Sequence, residues 1–146
     1  MLHEDITQRV IHAATKVHTA LGPGLLESTY DLCLLHELCL TGMHFEHQVQ
    51  LPVVYRGVRL DAGYRIDFLL ENRVIVELKA VEKLLPVHTA QLLSYLKLGE
   101  RPVGLLINFN VPHLRQGIRR VVNGYSLPSE KDLPSVSPVS FVVPSS

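Results

Sequence analysis

A chain of 146 residues, 47% of them hydrophobic and 19% charged, has enough apolar material for one core and too little length for two. Fourteen basic residues balance fourteen acidic ones, which excludes a whole-molecule basic field as the means of attracting nucleic acid, so any such attraction has to come from a local patch or a bound metal. No apolar run approaches the ~20 residues that cross a bilayer, and the charged, histidine-bearing start MLHEDITQRVIHAATKVH reads as soluble, unexported and cytoplasmic, with no membrane partner.

In chain order, Ile6, Val10, Ala13 or Ala14, Val17 and Leu21 recur at three-to-four spacing and predict an amphipathic helix from Asp5 to Leu21, ended by Gly22-Pro23-Gly24. Leu25 to Leu40 predicts a second helix, stopped by Thr41-Gly42. Cys33 and Cys39 are expected to be reduced thiols rather than a disulfide or a zinc knuckle. From Phe45 to Lys79 the apolar period changes to two, and Arg56-Gly57 and Glu71-Asn72 read as turns, which predicts a three-strand meander. Pro86 opens a crossover helix through Leu98, and Gly99 with Pro102 closes it. Val103 to Phe109 reads as a buried strand parallel to the last meander strand, and Leu114 to Asn123 as a final helix. The expected fold is α/β, a mixed sheet of about four strands flanked by helices, in a single domain over 1–127. The Pro/Ser-rich stretch 128–146 is expected to be a flexible tail.

The run IVELKAV places Glu77 and Lys79 two apart in an otherwise apolar strand, so they share a face. Asp67, in YRIDFLL, joins them only if the pairing register is even, for example with Leu70 opposite Val74 across Glu71-Asn72-Arg73, which demands a three-residue connection or a bulge. A two-residue turn would put Glu77 on the other face. Two converging carboxylates suit a hard divalent cation, and a lysine beside them can orient a metal-bound water or offset charge on a phosphate. Ordinary charges on a wet sheet face fit the same short pattern. Gln91 and Tyr95, four apart on the crossover helix, and His88, one turn earlier, project toward the end of the Lys79 strand. Glu27 and Tyr30 are three apart on the second helix, where Glu27 is either a third carboxylate for the metal or a simple partner of the helix's positive end. His12, His18, His36, His44 and His47 read as surface or packing residues rather than zinc ligands.

The stretch Gly24-Leu-Leu-Glu27-Ser-Thr-Tyr30 resembles the signature of the GxxExxY proteins, a family within the PD-(D/E)XK nuclease-like superfamily. The likeness continues in DFLLENRVIVELKAVEKLLPVHTAQLLSYLKL and VGLLINFNVPHLRQGIRRVVN and covers roughly residues 5 to 124. The resemblance implies a restriction-endonuclease-like fold. It also implies an acidic first-helix residue at Glu27, a metal-binding aspartate at Asp67, the ExK pair at Glu77 and Lys79, and a QxxxY motif at Gln91 and Tyr95. The function expected on these grounds is a Mg²⁺-dependent (or Mn²⁺-dependent) nuclease acting on DNA. Glu27, Asp67, Glu77 and the Leu78 carbonyl are its metal ligands, Lys79, Glu77, Asp67, Gln91 and Tyr95 its catalytic group, and His88, Lys83 and Tyr30 candidate substrate contacts. The alternative is a non-catalytic nuclease-fold module that binds nucleic acid or a protein partner. A homodimer is possible through the Val103–Phe109 strand or the first helix.

Overall fold

The computed structural model of the protein describes residues 2–124, so the expected flexible tail over 128–146 lies outside the described residues. Helix α1 (Glu4–Leu21) forms where the apolar spacing put it and buries Ile6, Val10, Ala13, Ala14 and Val17. Helix α2 (Glu27–Cys39) packs beside it, with Leu34 and Leu38 fully buried. Cys33 and Cys39 are both free thiols.

Strand β1 (Phe45–Gln50) is followed by a small hairpin of β2 (Val53–Tyr55) and β3 (Val58–Leu60), then by β4 (Arg65–Leu70) and β5 (Val74–Lys79). The expected meander is therefore β1, β4 and β5, with a separate hairpin inserted after β1. Arg56 (φ 51°) and Gly57 (φ 82°) form its tip, and two successive positive φ values match the twist of the paired strands. Crossover helix α3 (Pro86–Gly99) leads to β6 (Val103–Asn108), which pairs parallel to β5.

The predicted terminal helix is corrected. Leu114–Gly117 forms one 3₁₀ turn, and Ile118–Val122 forms strand β7, antiparallel to β6. A Cβ at Gly117 would lie 2.1 Å from the Asn108 carbonyl oxygen, so the chain must pass close to β6 there. The β-branched run Ile118, Val121, Val122 then favours the ladder over a helix. The main sheet thus has five strands, ordered β1-β4-β5-β6-β7.

Helices cover both faces of this sheet. Val74, Val76 and Leu78 of β5 face α1 and α2, while Ile75 faces α3 with Leu92 and Leu96. Strand β6 is buried along its whole length between two neighbours, which removes it as a homodimer face, and α1 spends its apolar stripe on the core. Beyond the middle of β1 and β4 both strands change face. Phe45 packs with the α1/α2 core but Val49 with the α3 core, and Phe68 and Leu70 separate from Ile66 in the same way. Strict alternation would keep each set together. The switch falls on the rung of Gln48, whose φ is 56°, and Asp67.

Helix α3 lies close to β6 because residue 104 is glycine: a Cβ there would meet the buried Leu92 at 2.9 to 3.1 Å through three of its atoms. Gly104→Val is expected to lower the urea midpoint without changing the denaturant slope, at a cost of about 1–3 kcal/mol for overpacking.

Candidate active site

The β4–β5 ladder runs Leu70–Val74, Leu69–Ile75, Phe68–Val76. The connection is the three residues Glu71-Asn72-Arg73, with Glu71 and Asn72 at positive φ, and this register brings Asp67 opposite Glu77. At that rung side chains replace the backbone ladder. The Asp67 amide donates to Glu77 Oε2 at 2.7 Å, and the Leu78 amide donates to Asp67 Oδ2 at 2.8 Å. Each carboxylate therefore holds open a gap between the strands with one oxygen. Among the described residues, neither Glu77 Oε1 nor Asp67 Oδ1 accepts a bond shorter than the 3.4 Å contact from Gln48 Nε2 to Asp67 Oδ1.

Helix α2 packs with α1 against the Val74, Val76 and Leu78 face of β5, opposite the face of Ile75, and Glu27 at its start lies within the electrostatic reach of Asp67 and Lys79. It is exposed, in the first turn of α2. Its position depends on Tyr30, which is fully buried and stacks on Phe109 at 4.5 Å. The Tyr30 hydroxyl donates to the Gly22 carbonyl at 2.6 Å and accepts from the Leu25 amide at 3.1 Å. Those bonds clamp the loop that enters α2, and Gly24 within it has φ 99°, a conformation that side chains resist. Gly24, Glu27 and Tyr30 are thus a turn, an acid and the clamp that fixes it. This corrects Tyr30 as a substrate contact, because its ring and hydroxyl are both consumed inside the fold.

Asp31, one helical turn after Glu27, was missed in the sequence reading. Its carboxylate takes a 2.7 Å contact from His47 Nε2 and a 3.3 Å bond from Gln48 Nε2, which also reaches Asp67. The i, i+4 spacing of Glu27 and Asp31 was the available signal. His47 packs against Phe68, in keeping with a packing role.

From the other face, α3 brings the buried Tyr95 into the electrostatic field of Glu77 and Asp67. Gln91 sits one turn earlier at an exposed position. His88 Nδ1 accepts from the Leu85 amide at 2.9 Å while the His88 amide donates to the Leu85 carbonyl at 2.9 Å, so the ring caps the start of α3. Lys83 is exposed on the preceding loop, and Lys79 is half-buried. Leu78 points its side chain into the core. A further residue not singled out beforehand, Asn108, is buried at the end of β6. It pairs with both backbone groups of Val81 at 2.9 and 3.0 Å, tying down the segment just after Lys79.

Burial pushes the Glu77 carboxyl up to about 8, helped by the adjacent Asp67 charge and opposed by the Asp67 amide and Lys79. Asp67 is raised by burial, against the pull of the Leu78 amide. Glu27, although exposed as a residue, is raised by partial desolvation of its carboxyl and then by Asp67, with Lys79 lowering it. Burial and the Glu77 charge raise Tyr95, which keeps it a neutral O–H donor. Acids held above their usual range by desolvation and mutual repulsion are what a bound cation would relieve.

The residues present fit a hard divalent ion in part. Asp67 and Glu77 each keep one oxygen for it at the rung where the backbone ladder ends. No group of three or more His, Cys, Asp or Glu side chains converges at ligating geometry among the described residues, so Glu27 is not in place as a third ligand.

An acid-lined gap between strand ends, inside a mixed sheet sandwiched by helices, defines an α/β domain of nuclease type. A family model of the PD-(D/E)XK nuclease superfamily matches residues 4–121, and the chain belongs to that superfamily. No curated protein and no solved structure matches the chain. No helix among the described residues is long and apolar enough to cross a membrane.

The raised Glu77 carboxyl gives a signed pH dependence. The native state keeps a proton that the unfolded chain, with a carboxyl near 4.5, releases. Stability in chelator is then greatest below about pH 4.5 as far as this group is concerned, falls by up to ~1.4 kcal/mol per pH unit toward pH 8 and levels off above it. Urea unfolding across this range should show the decline in the wild type and a much flatter profile in Glu77→Gln.

Proposed function

We propose that the protein is a Mg²⁺-dependent nuclease that hydrolyses phosphodiester bonds in DNA, and that within its superfamily it belongs to the GxxExxY group. The observation that supports this best is the β4–β5 rung beyond the Phe68–Val76 pair, where Asp67 and Glu77 each bond a backbone amide with one oxygen and leave the other for a ligand. Two acids buried side by side cost stability, and a cation between them offsets that cost. When bound by Asp67, Glu77 and the Leu78 carbonyl, Mg²⁺ or Mn²⁺ supplies a water of lowered pKa and polarises the phosphate.

The chain's own groups do the rest. Lys79 offsets charge developing on the phosphate and aligns the attacking water. Tyr95 offers a neutral hydroxyl beside Glu77, positioned to hold a phosphate oxygen or Lys79. Gln91, one turn outward, contacts the bound strand. Glu27 and Asp31 make the α2 side of the gap acidic, which favours a cation there and orients Lys79. Lys83 meets a phosphate on the approach past α3, and His88 supports that approach by capping the helix.

A second reading, a nuclease-fold module that binds nucleic acid or a protein without cutting, draws on the lack of a third ligating side chain among the described residues and on the structural use of both carboxylates. Purified protein with Mg²⁺ or Mn²⁺ on linear, nicked and branched DNA and on single-stranded RNA separates the two. Cutting of DNA by the wild type, reduced roughly 10²-fold or more in Lys79→Ala and Asp67→Asn, supports the enzyme. Equal cutting by all the proteins means contamination, and the enzymatic reading fails. Mg²⁺ is also expected to raise the thermal midpoint of the wild type and not of Asp67→Asn, because only the native gap binds it.

A further inference from the structure

The β2–β3 hairpin is paired only with itself, yet it carries an unusual amount of exposed aromatic and apolar surface. Tyr55 is 61% exposed, Val58 55% and Leu60 44%, and Tyr64 at its root is 43% exposed. Interleaved with them are Arg56, Arg59 and Arg65, all exposed and none with a side-chain partner among the described residues. The one acid of the same stretch, Asp61, is exposed but held locally, accepting from the Gly63 amide at 3.0 Å and from Gln50 Nε2 at 3.4 Å, so the three arginines outnumber it. In a chain of zero net charge, this is a local basic surface set with aromatic rings.

Its root is part of the candidate site. Arg65 lies two residues before Asp67, and the Tyr64 ring contacts Tyr95 at 5.8 Å. Because β4 runs antiparallel to β5 with Asp67 opposite Glu77, the start of β4 lies at the Lys79 end of β5. The hairpin therefore springs from the end of the sheet where the acids open.

We propose that the β2–β3 hairpin is an arm that binds an unpaired nucleic-acid strand adjoining the active site. Arg56 and Arg59 contact phosphates, and Tyr55 stacks on a base. Arginines neutralise phosphates whatever the sequence, and an exposed tyrosine finds a free base face only where bases are unstacked, so single strands and frayed ends are the substrate form that fits. This rests on the nucleic-acid reading of the site but not on cutting.

The test is binding of short fluorescein-labelled single-stranded and duplex oligonucleotides to the full chain carrying Asp67→Asn, with cutting by wild type scored separately. The expected result is tighter binding of the single strand, weakened about tenfold by Tyr55→Ser and more by Arg56→Glu with Arg59→Glu. In Arg56→Ser with Arg59→Ser the slope of log affinity against log salt should fall by about 1.4, the share of two phosphate contacts on a single strand. All these positions are exposed, and an unchanged thermal midpoint in each variant verifies the fold. Unchanged affinity in the hairpin variants, or equal affinity for duplex and single strand, overturns the arm. So does a dimer, measured by light scattering, that the hairpin variants dissociate while binding stays the same, since the apolar surface is then a contact between copies. Loss of cutting with intact, hairpin-dependent binding overturns the enzyme and leaves the arm standing.

Discussion

Two reciprocal hydrogen bonds, Asp67 amide to Glu77 and Leu78 amide to Asp67, govern how the rest of this molecule is arranged. They exist only because the turn before β5 has three residues, and they replace backbone rungs that an ordinary hairpin would have continued. The result is a backbone ladder that ends at one rung while the amides of Asp67 and Leu78 stay bonded. Amides that would otherwise be orphaned there are bonded by carboxylates, and the carboxylates are held where their charges are costly. Such a site opposes the stability of the fold it sits in, which is the usual mark of residues retained for chemistry.

The two tyrosines of the motifs serve the site from opposite sides. Tyr30 works through structure alone: stacked on Phe109 and bonded to both limbs of the loop before α2, it fixes where that helix begins and so where Glu27 and Asp31 stand. Tyr95 lies buried on the other side of the sheet, on a helix that docks closely because Gly104 lets Leu92 approach β6, and it feels the charges of Glu77 and Asp67. The two tyrosines thus differ in setting, one clamping a loop through its hydroxyl and the other lying within the field of the two acids.

Much of this was legible in the sequence, and the failures have physical causes. The sequence left the register of Asp67 against Glu77 as a condition, since side chains alternate and a slip of one residue reverses the face, and the three-residue connection meets it. The side of the sheet taken by the Glu27 helix did not follow, because Leu25 to Leu40 is apolar nearly all round and its periodicity does not say which face it covers. Leu114 to Asn123 read as a helix because Leu114, Ile118 and Val121 also match a helical period. The close pass of Gly117 over Asn108 is a long-range contact that no local pattern carries. Asp31 was overlooked because its partners, His47 and Gln48, come from a strand sixteen and seventeen positions away. The change of face at Gln48 and Asp67 breaks strict alternation in both strands at once, so each strand alone looks regular on either side of it.

The small hairpin also bears on how such a domain can diversify. Its strands bond to each other and to no strand of the main sheet, and beneath it the chain closes again through the Gln50–Arg65 pair and the bond from the Leu51 amide to the Tyr64 carbonyl. A two-stranded ribbon of this size contributes little to global stability, so its length and tip can be rewritten without disturbing the register that holds Asp67 against Glu77. Descent with variation can then alter what the domain grips while the acids that face each other across the gap stay where they are.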